Sequence, residues 1–327
     1  MRRRRVSFGR TARILGASAL IGSGLARAQH TNRVTQGRTN SVAEARGRPK
    51  IPSIDFCYCS HEHKSFNFRQ YYSILEEARK EGKPYNTMLL ELTNLTHAER
   101  ALIERTTDKN ADALVVLAKK IVANMRAGNN PEENKRLFQE FEKMCPLRNN
   151  FMLDIVLAAY ANDVRRIRII ESYSEREIDN ALKKNNGKDF PVKEYIKELA
   201  RYIKFRNERM AETIYRLRKE SESDPYYFSA PMRSMVILGA GHGGFNLEQG
   251  VHHEFAKRVK TTGGSTDLGV IKTFTSELKP RNIQELIGNE AIRLAQKTPA
   301  EIEGYELSPS MKQIEKRMLE TLRMQKK

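Results

Sequence analysis

The sequence predicts an α/β fold: a mainly parallel sheet with helices on both faces, two related halves, and a helical insert in the middle. Three observations predict it. Short apolar runs of strand length alternate with segments of helical periodicity along most of the chain, and strands separated by helices need crossover connections, which give parallel pairing. Two of those runs end alike, on a small residue, two intervening positions and a histidine: Ser60-x-x-His63 after Asp55-Phe-Cys-Tyr-Cys59, and Gly239-x-x-His242 after Met235-Val-Ile-Leu238. Between them, the run Thr87-Met-Leu-Leu-Glu-Leu92 carries a single carboxylate, Glu91, near its end. An imidazole or carboxylate just past a strand's C-terminal end stands where α/β proteins bind ligands and metals.

The elements follow in order. Residues 1–28 read as an export signal: seven arginines and no acid, a mildly apolar run from Ile14 to Ala26, and Ala26-Arg-Ala28 as the cleavage site. The paired arginines and Phe8 give it a twin-arginine character, which places the protein in the periplasm or outside the cell; a mitochondrial presequence is the alternative. Residues 29–50 are polar and basic, a flexible linker. A single α/β domain then occupies 51–327. After the first strand a helix spans Phe66 to Gly82, and the Glu91 strand follows. A helical insert covers about 97–165, with Gly128-Asn-Asn-Pro131 as its break. Arg166-Ile-Arg-Ile-Ile-Glu171 has the β-branched content of a strand, helices fill Ser174 to Asn185 and Val192 to Glu220, and the second histidine strand runs from Ser234 to Leu238. A helix over Asn246 to Val259, a strand over Thr266 to Thr275 and helices over Ile283 to Gln296 and Ser308 to Met324 close the chain.

Composition excludes several classes. The formal charge is +18, and removing the seven leader arginines leaves +11. That charge aids nonspecific association with anions, but Arg165-Arg-Ile-Arg168 and Lys183-Lys-Asn-Asn-Gly-Lys188 have no interleaved aromatics or reader module, so no specific nucleic acid is expected. Three cysteines, Cys57, Cys59 and Cys145, do not make a disulfide framework. After the leader, no segment has the roughly 18 uncharged apolar residues of a membrane span. Gly239-Ala-Gly-His-Gly-Gly244 fits the dinucleotide fingerprint, but the 83 residues that follow are too few for a doubly wound nucleotide domain.

The candidate site gathers at one sheet edge. His63 and His242 offer imidazole nitrogens from separate strands, and with Glu91 they make an open set for a divalent transition metal. On the helix before the second histidine strand, Arg206 is spaced to reach that edge and hold an anionic group or orient Glu91, with Met210 and Ile214 on its own face. Asn207 is placed to hydrogen-bond a neighbouring ligand, and Gly239 and Gly241 shape the turn that carries His242.

These residues carry a resemblance. Ser60-x-x-His63, Glu91-Leu92, Arg206-Asn207-x-x-Met210-Ala211-x-x-Ile214 and Gly239-Ala-Gly-His242 resemble, in order and spacing, the TraB/GumN group of the erythromycin-esterase/ChaN-like (Tiki-type) superfamily, over residues 54 to 260. Ser60 stands where that group carries glycine. The resemblance implies an α/β fold of two similar halves and relatives that are metal-dependent proteases, macrolide esterases or haem-iron binders. The expectation is therefore an exported metal-dependent hydrolase of a peptide or ester bond, with His63 and His242 as metal ligands, Glu91 as ligand or general base and Arg206 as a clamp. A haem- or metal-binding protein of the same fold without turnover, and an inactive basic interaction protein, are the alternatives.

Overall fold

A computed structural model describes residues 33–34, 53–59, 64–92, 95–128, 130–147, 150–171, 191–222, 233–243, 250–272 and 283–325. The export signal, His61, His63, Lys183–Lys188, the helix expected over Ser174 to Asn185, and residues 29–50 apart from Arg33–Val34 lie outside them.

Among the described residues, six strands form one sheet: β1 (Arg33–Val34), β2 (Ser53–Cys59), β3 (Thr87–Glu91), β4 (Arg166–Glu171), β5 (Arg233–Gly239) and β6 (Asp267–Lys272), in the spatial order β1-β6-β2-β5-β3-β4. From β6 to β4 all neighbours are parallel; the two-residue β1 pairs antiparallel with β6, so one dipeptide of the stretch read as a linker joins the sheet edge. The two strands that precede the small-x-x-His turns lie side by side, in register from Ser53 opposite Arg233 to Cys59 opposite Gly239.

The helices are α1 (Lys64–Lys80), α2 (His97–Lys109), α3 (Ala111–Ala127), α4 (Pro131–Met144), α5 (Asn150–Ala161), α6 (Val192–Glu222), α7 (Val251–Thr261), α8 (Ile283–Ala295), α9 (Pro299–Glu303) and α10 (Pro309–Gln325). The insert is the four helices α2–α5. The Gly128 break is real, with Gly128 in the left-handed conformation that ends α3. A second break at Asn110 divides the segment further, because this residue both ends α2 and opens α3.

Alternation along the strands sorts the layers. Cys57, Met88, Leu90, Met235, Ile237, Ile167 and Ile169 face α1–α5 in one apolar core. Phe56, Tyr58, Leu89, Val236 and Leu238 face the opposite way, against Met210, Ala211 and Ile214 of α6 and Val251, Phe255 and Val259 of α7. The sheet is thus covered on both faces, which explains the continuous apolar runs Met88–Leu90 and Met235–Leu238 in its central strands. Among the described residues, no helix is long and apolar enough to cross a membrane.

With 31 residues, α6 is about 46 Å long at 1.5 Å per residue, roughly twice what a five- to seven-residue strand spans. Its C-terminal half covers the sheet. Its N-terminal half projects past the strand ends, where Val192, Ile196 and Ala200 build a third core with α8, α9 and α10 through Ile287, Ala291, Leu294, Ile302 and Met311. A helical cap therefore sits beyond the C-terminal edge of the sheet.

The sheet's other half holds a buried ion pair. Asp55 on β2 is 1 % exposed, and its Oδ2 accepts from Arg233 Nη2 at 2.8 Å, Arg233 Nε at 3.1 Å and Tyr85 Oη at 2.5 Å. On the neighbouring strand stands Gly269, where a Cβ would lie 1.8 Å from Asp55 Oδ1. The pair exists because that residue is glycine. In and beside β4, Arg168 makes two bonds to Asp108, both under 3.0 Å, and Arg165 is paired with Asp112.

Candidate functional site at the sheet edge

Chain direction decides where a crevice opens. The connection leaving β3 runs through α2–α5 to β4 on one face of the sheet, and the connection leaving the adjacent β5 runs through α7 to β6, the opposite way and on the other face. Neighbouring strands whose connections diverge leave a gap at their C-terminal ends, the usual ligand position in open α/β sheets. Here the gap lies between Glu91 and Gly239.

Pairing of β3 with β5 ends at Leu90 opposite Ile237, and the β3–β4 register slips between Leu90 and Glu91. The Glu91 carboxylate takes over the next hydrogen bond on β5: its Oε2 accepts the Gly239 N–H at 2.7 Å. Its Oε1 accepts from Arg206 Nη2 at 2.8 Å and lies 3.0 Å from His242 Nε2. On the far side of the ring, His242 Nδ1 is 2.6 Å from Asn207 Oδ1. Glu91, Asn207 and His242 are all 8 % exposed or less. Four residues predicted from the sequence, Glu91, Arg206, Asn207 and His242, are thus directly bonded into one cluster.

Each element is placed by its own sequence. Arg206 and Asn207 sit where α6 leaves the sheet and enters the cap, so their side chains turn to the strand ends while Met210, Ala211 and Ile214, one to two turns on, pack against the sheet. His242 rides on a 3-10 turn, Ala240–Gly243, directly after β5. Gly241 allows the cap to close over that turn, since a Cβ there would meet Ile292 Cδ1 of α8 at 3.2 Å. The turn is not the opening of a nucleotide-binding helix. The Gly239 N–H is already held by Glu91, and α7 starts only at Val251.

The charges are balanced with care. Burial alone would raise the Glu91 carboxyl; the charge and hydrogen bond of His242, the charge of Arg206 and the Gly239 N–H outweigh burial and hold it well below the usual carboxylate range. With Asn207 Oδ1 accepting the Nδ1 proton, His242 turns Nε2 toward a carboxylate oxygen, and a positive charge belongs between them. A metal ion would supply it. The donor set fits such an ion: neutral imidazole and carboxylate are ordinary ligands, the Asn207 bond fixes the tautomer that leaves Nε2 open, and donors 3.0 Å apart suit adjacent positions on an ion with bonds of about 2.1 Å. Among the described residues, no third His, Cys, Asp or Glu joins them; His63, the further donor expected from the sequence, lies outside those residues.

Two residues near the cluster are absent from the sequence reading. Tyr58, one position before the end of β2, bonds His252 of α7, with Oη 2.8 Å from Nδ1. Burial pushes the phenol far up, the His252 backbone N–H works against that rise, and the charge on Glu91 adds to it. The available signal was a tyrosine in the apolar run Phe56–Cys59 at the end of the strand, because a buried hydroxyl requires a polar partner. Cys57 is buried in the apolar core of α1–α5, on the other face of the sheet from Tyr58, and forms no disulfide among the described residues. No family model, curated protein or solved structure matches the chain.

Proposed function

We propose that the chain is an exported metal-dependent hydrolase, acting on a peptide or ester bond, with the TraB/ChaN-like fold built from two related halves that each end a central strand on a small-x-x-His turn. The observation that carries this reading is the buried Glu91–His242 pair at the diverging strand ends, with Asn207 fixing the imidazole and Arg206 sharing the carboxylate. The adjacent, in-register placement of β2 and β5 supports the two-halves element, and it sets Cys59, the last residue of β2, beside Gly239 at the start of the turn that holds His242.

In this reading His242, Glu91 and His63 hold a divalent transition metal. When bound, such an ion supplies Lewis acidity, polarising the scissile carbonyl and acidifying water. Glu91 serves there as a ligand or as the general base that takes a proton from water. Asn207 keeps the Nδ1 proton in place. The Gly239 N–H fixes Oε2 and so the rotation of the carboxylate. Arg206 shares Glu91 Oε1 through Nη2, and its positive charge stands where it can stabilise a developing oxyanion. The helical cap excludes water and strengthens each of these interactions.

The test is turnover of ester and peptide panels by the purified mature chain, with and without added manganese, cobalt or zinc. Metal-dependent hydrolysis that falls at least about 100-fold in Glu91→Gln and His242→Ala is expected. Hydrolysis that persists in both variants would falsify the assignment, and metal retained without any turnover would transfer the site to a binding protein.

A further inference from the structure

A second polar pair lies behind the Glu91 cluster, and the hydrolytic reading leaves it without a task. Tyr58 is fully buried and His252 is 7 % exposed. The Tyr58 hydroxyl accepts the His252 backbone N–H at 3.2 Å, and its oxygen is 2.8 Å from the ring Nδ1. A hydroxyl that accepts one N–H directs its own hydrogen to the remaining acceptor, here Nδ1, which leaves the ring proton of His252 on Nε2.

This pair also serves as a helix cap. The residue before α7 is Gly250, which has no side chain to bond the first N–H groups of the helix. Tyr58 bonds one of them from a different strand. Gly250 in turn is packed on three sides: a Cβ there would lie 2.7 Å from the carbonyl oxygen of His242, 2.9 Å from Gly243 Cα and 2.9 Å from Tyr58 Oη. The hydroxyl, the Gly250 backbone and the main chain of the site histidine therefore form one contact without space for a methyl group.

We infer that Tyr58 and His252 are positioning residues: by capping α7 and bracing Gly250, they pin the Ala240–Gly243 turn and so hold the His242 imidazole against Asn207 and Glu91. Neither residue touches the reacting atoms. The inference concerns the same site as the proposed hydrolase, but its geometric consequence can be read without metal or substrate.

The experiment is NMR of the full chain labelled with 15N-histidine. In the unaltered protein, the His242 Nδ1–H is protected by its bond to Asn207. In Tyr58→Phe, which keeps the ring and its packing, solvent exchange of that proton should accelerate about ten-fold, the equivalent of one hydrogen bond. Tyr160→Phe, which alters a buried phenol in the core on the other face of the sheet, should leave it unchanged. Gly250→Ala should reproduce the loosening by a steric route; if that variant does not fold, Tyr58→Phe alone decides. Cobalt(II) titration adds a second readout, with Tyr58→Phe binding about ten-fold more weakly. A His242 signal unchanged in Tyr58→Phe, while the His252 signal shifts, overturns the inference. If the unaltered protein binds no cobalt, the hydrolase reading falls and the His242 exchange rate still decides this one.

Discussion

Replacing Glu91 by glutamine removes one charge and reverses one hydrogen-bonding group inside the sheet-edge cluster. The amide oxygen still accepts the Gly239 N–H that now bonds Oε2 at 2.7 Å. The amide nitrogen then faces Arg206 Nη2, a donor against a donor at a place where 2.8 Å separates the present pair. Removing one partner of a buried ion pair costs about 3–5 kcal/mol. The lower figure applies because the Arg206 side chain keeps 13 % of its exposure and lies 5.6 Å from the Tyr202 ring. At about 2 °C per kcal/mol for a chain of this size, the melting temperature at pH 7 should drop by about 6 °C, measured by scanning calorimetry. The loss should also depend on pH. The folded carboxyl titrates below its unfolded value near 4.3, so below about pH 4.5 the unfolded chain takes up the proton first and stability falls as pH falls. The Glu91→Gln variant lacks that proton uptake, so the gap between the two proteins should narrow from pH 5 to pH 3. A melting temperature within about 1 °C of the unaltered protein at pH 7, or a gap that widens in acid, would refute the claim that Glu91 is a buried, bonded carboxylate.

Other predictions concern groups away from the cluster. Gly269→Ala places a methyl 1.8 Å from Asp55 Oδ1 and should destabilise the fold by at least about 3 kcal/mol, through overpacking and a disturbed buried pair; chemical denaturation with an unchanged midpoint contradicts this. Burial lifts the Asp154 carboxyl to about 7. Its folded value lies above the unfolded one, so the benefit of the neutral form is complete below about pH 4 and is lost as pH rises to 7. Asp154→Asn should therefore gain stability relative to the unaltered protein between pH 4 and pH 8, and a pH-independent difference would sink the assignment. Burial pushes the Cys145 thiol up to about 12. Peptide mapping after iodoacetamide at pH 8 should find Cys145 unmodified in the folded chain and alkylated in urea.

The fold was legible where periodicity and composition agree. Glu91 stood out because Met88, Leu89 and Leu90 before it are apolar in both directions, which only a strand covered on both faces requires, so a carboxylate at its end had to have partners. Arg206 and Asn207 were legible from their offset to Met210, Ala211 and Ile214, which fixes the face of the helix toward the sheet. The order β6-β2-β5-β3-β4 was not legible, since periodicity shows that a strand exists and not which strands are its neighbours; the placement of β5 between β2 and β3 is what brings His242 to Glu91. Nor was Tyr58 legible as a partner of His252, a contact 194 residues apart. Gly269 lies in a segment read as a strand, but the need for glycine there is set by the aspartate on the adjacent strand, which the sequence does not place beside it. The helical cap was missed for a similar reason: the amphipathic pattern of α6 does not say that its two halves serve different cores.

Metal content of the mature chain is the most direct measurement of the central claim. Elemental analysis after purification, followed by reconstitution with cobalt, manganese or zinc and repeated for His242→Ala, should show about one bound ion per chain in the unaltered protein and its loss in the variant. A chain that neither retains nor takes up any of these ions, or a His242→Ala variant that holds as much metal as its parent, contradicts the account.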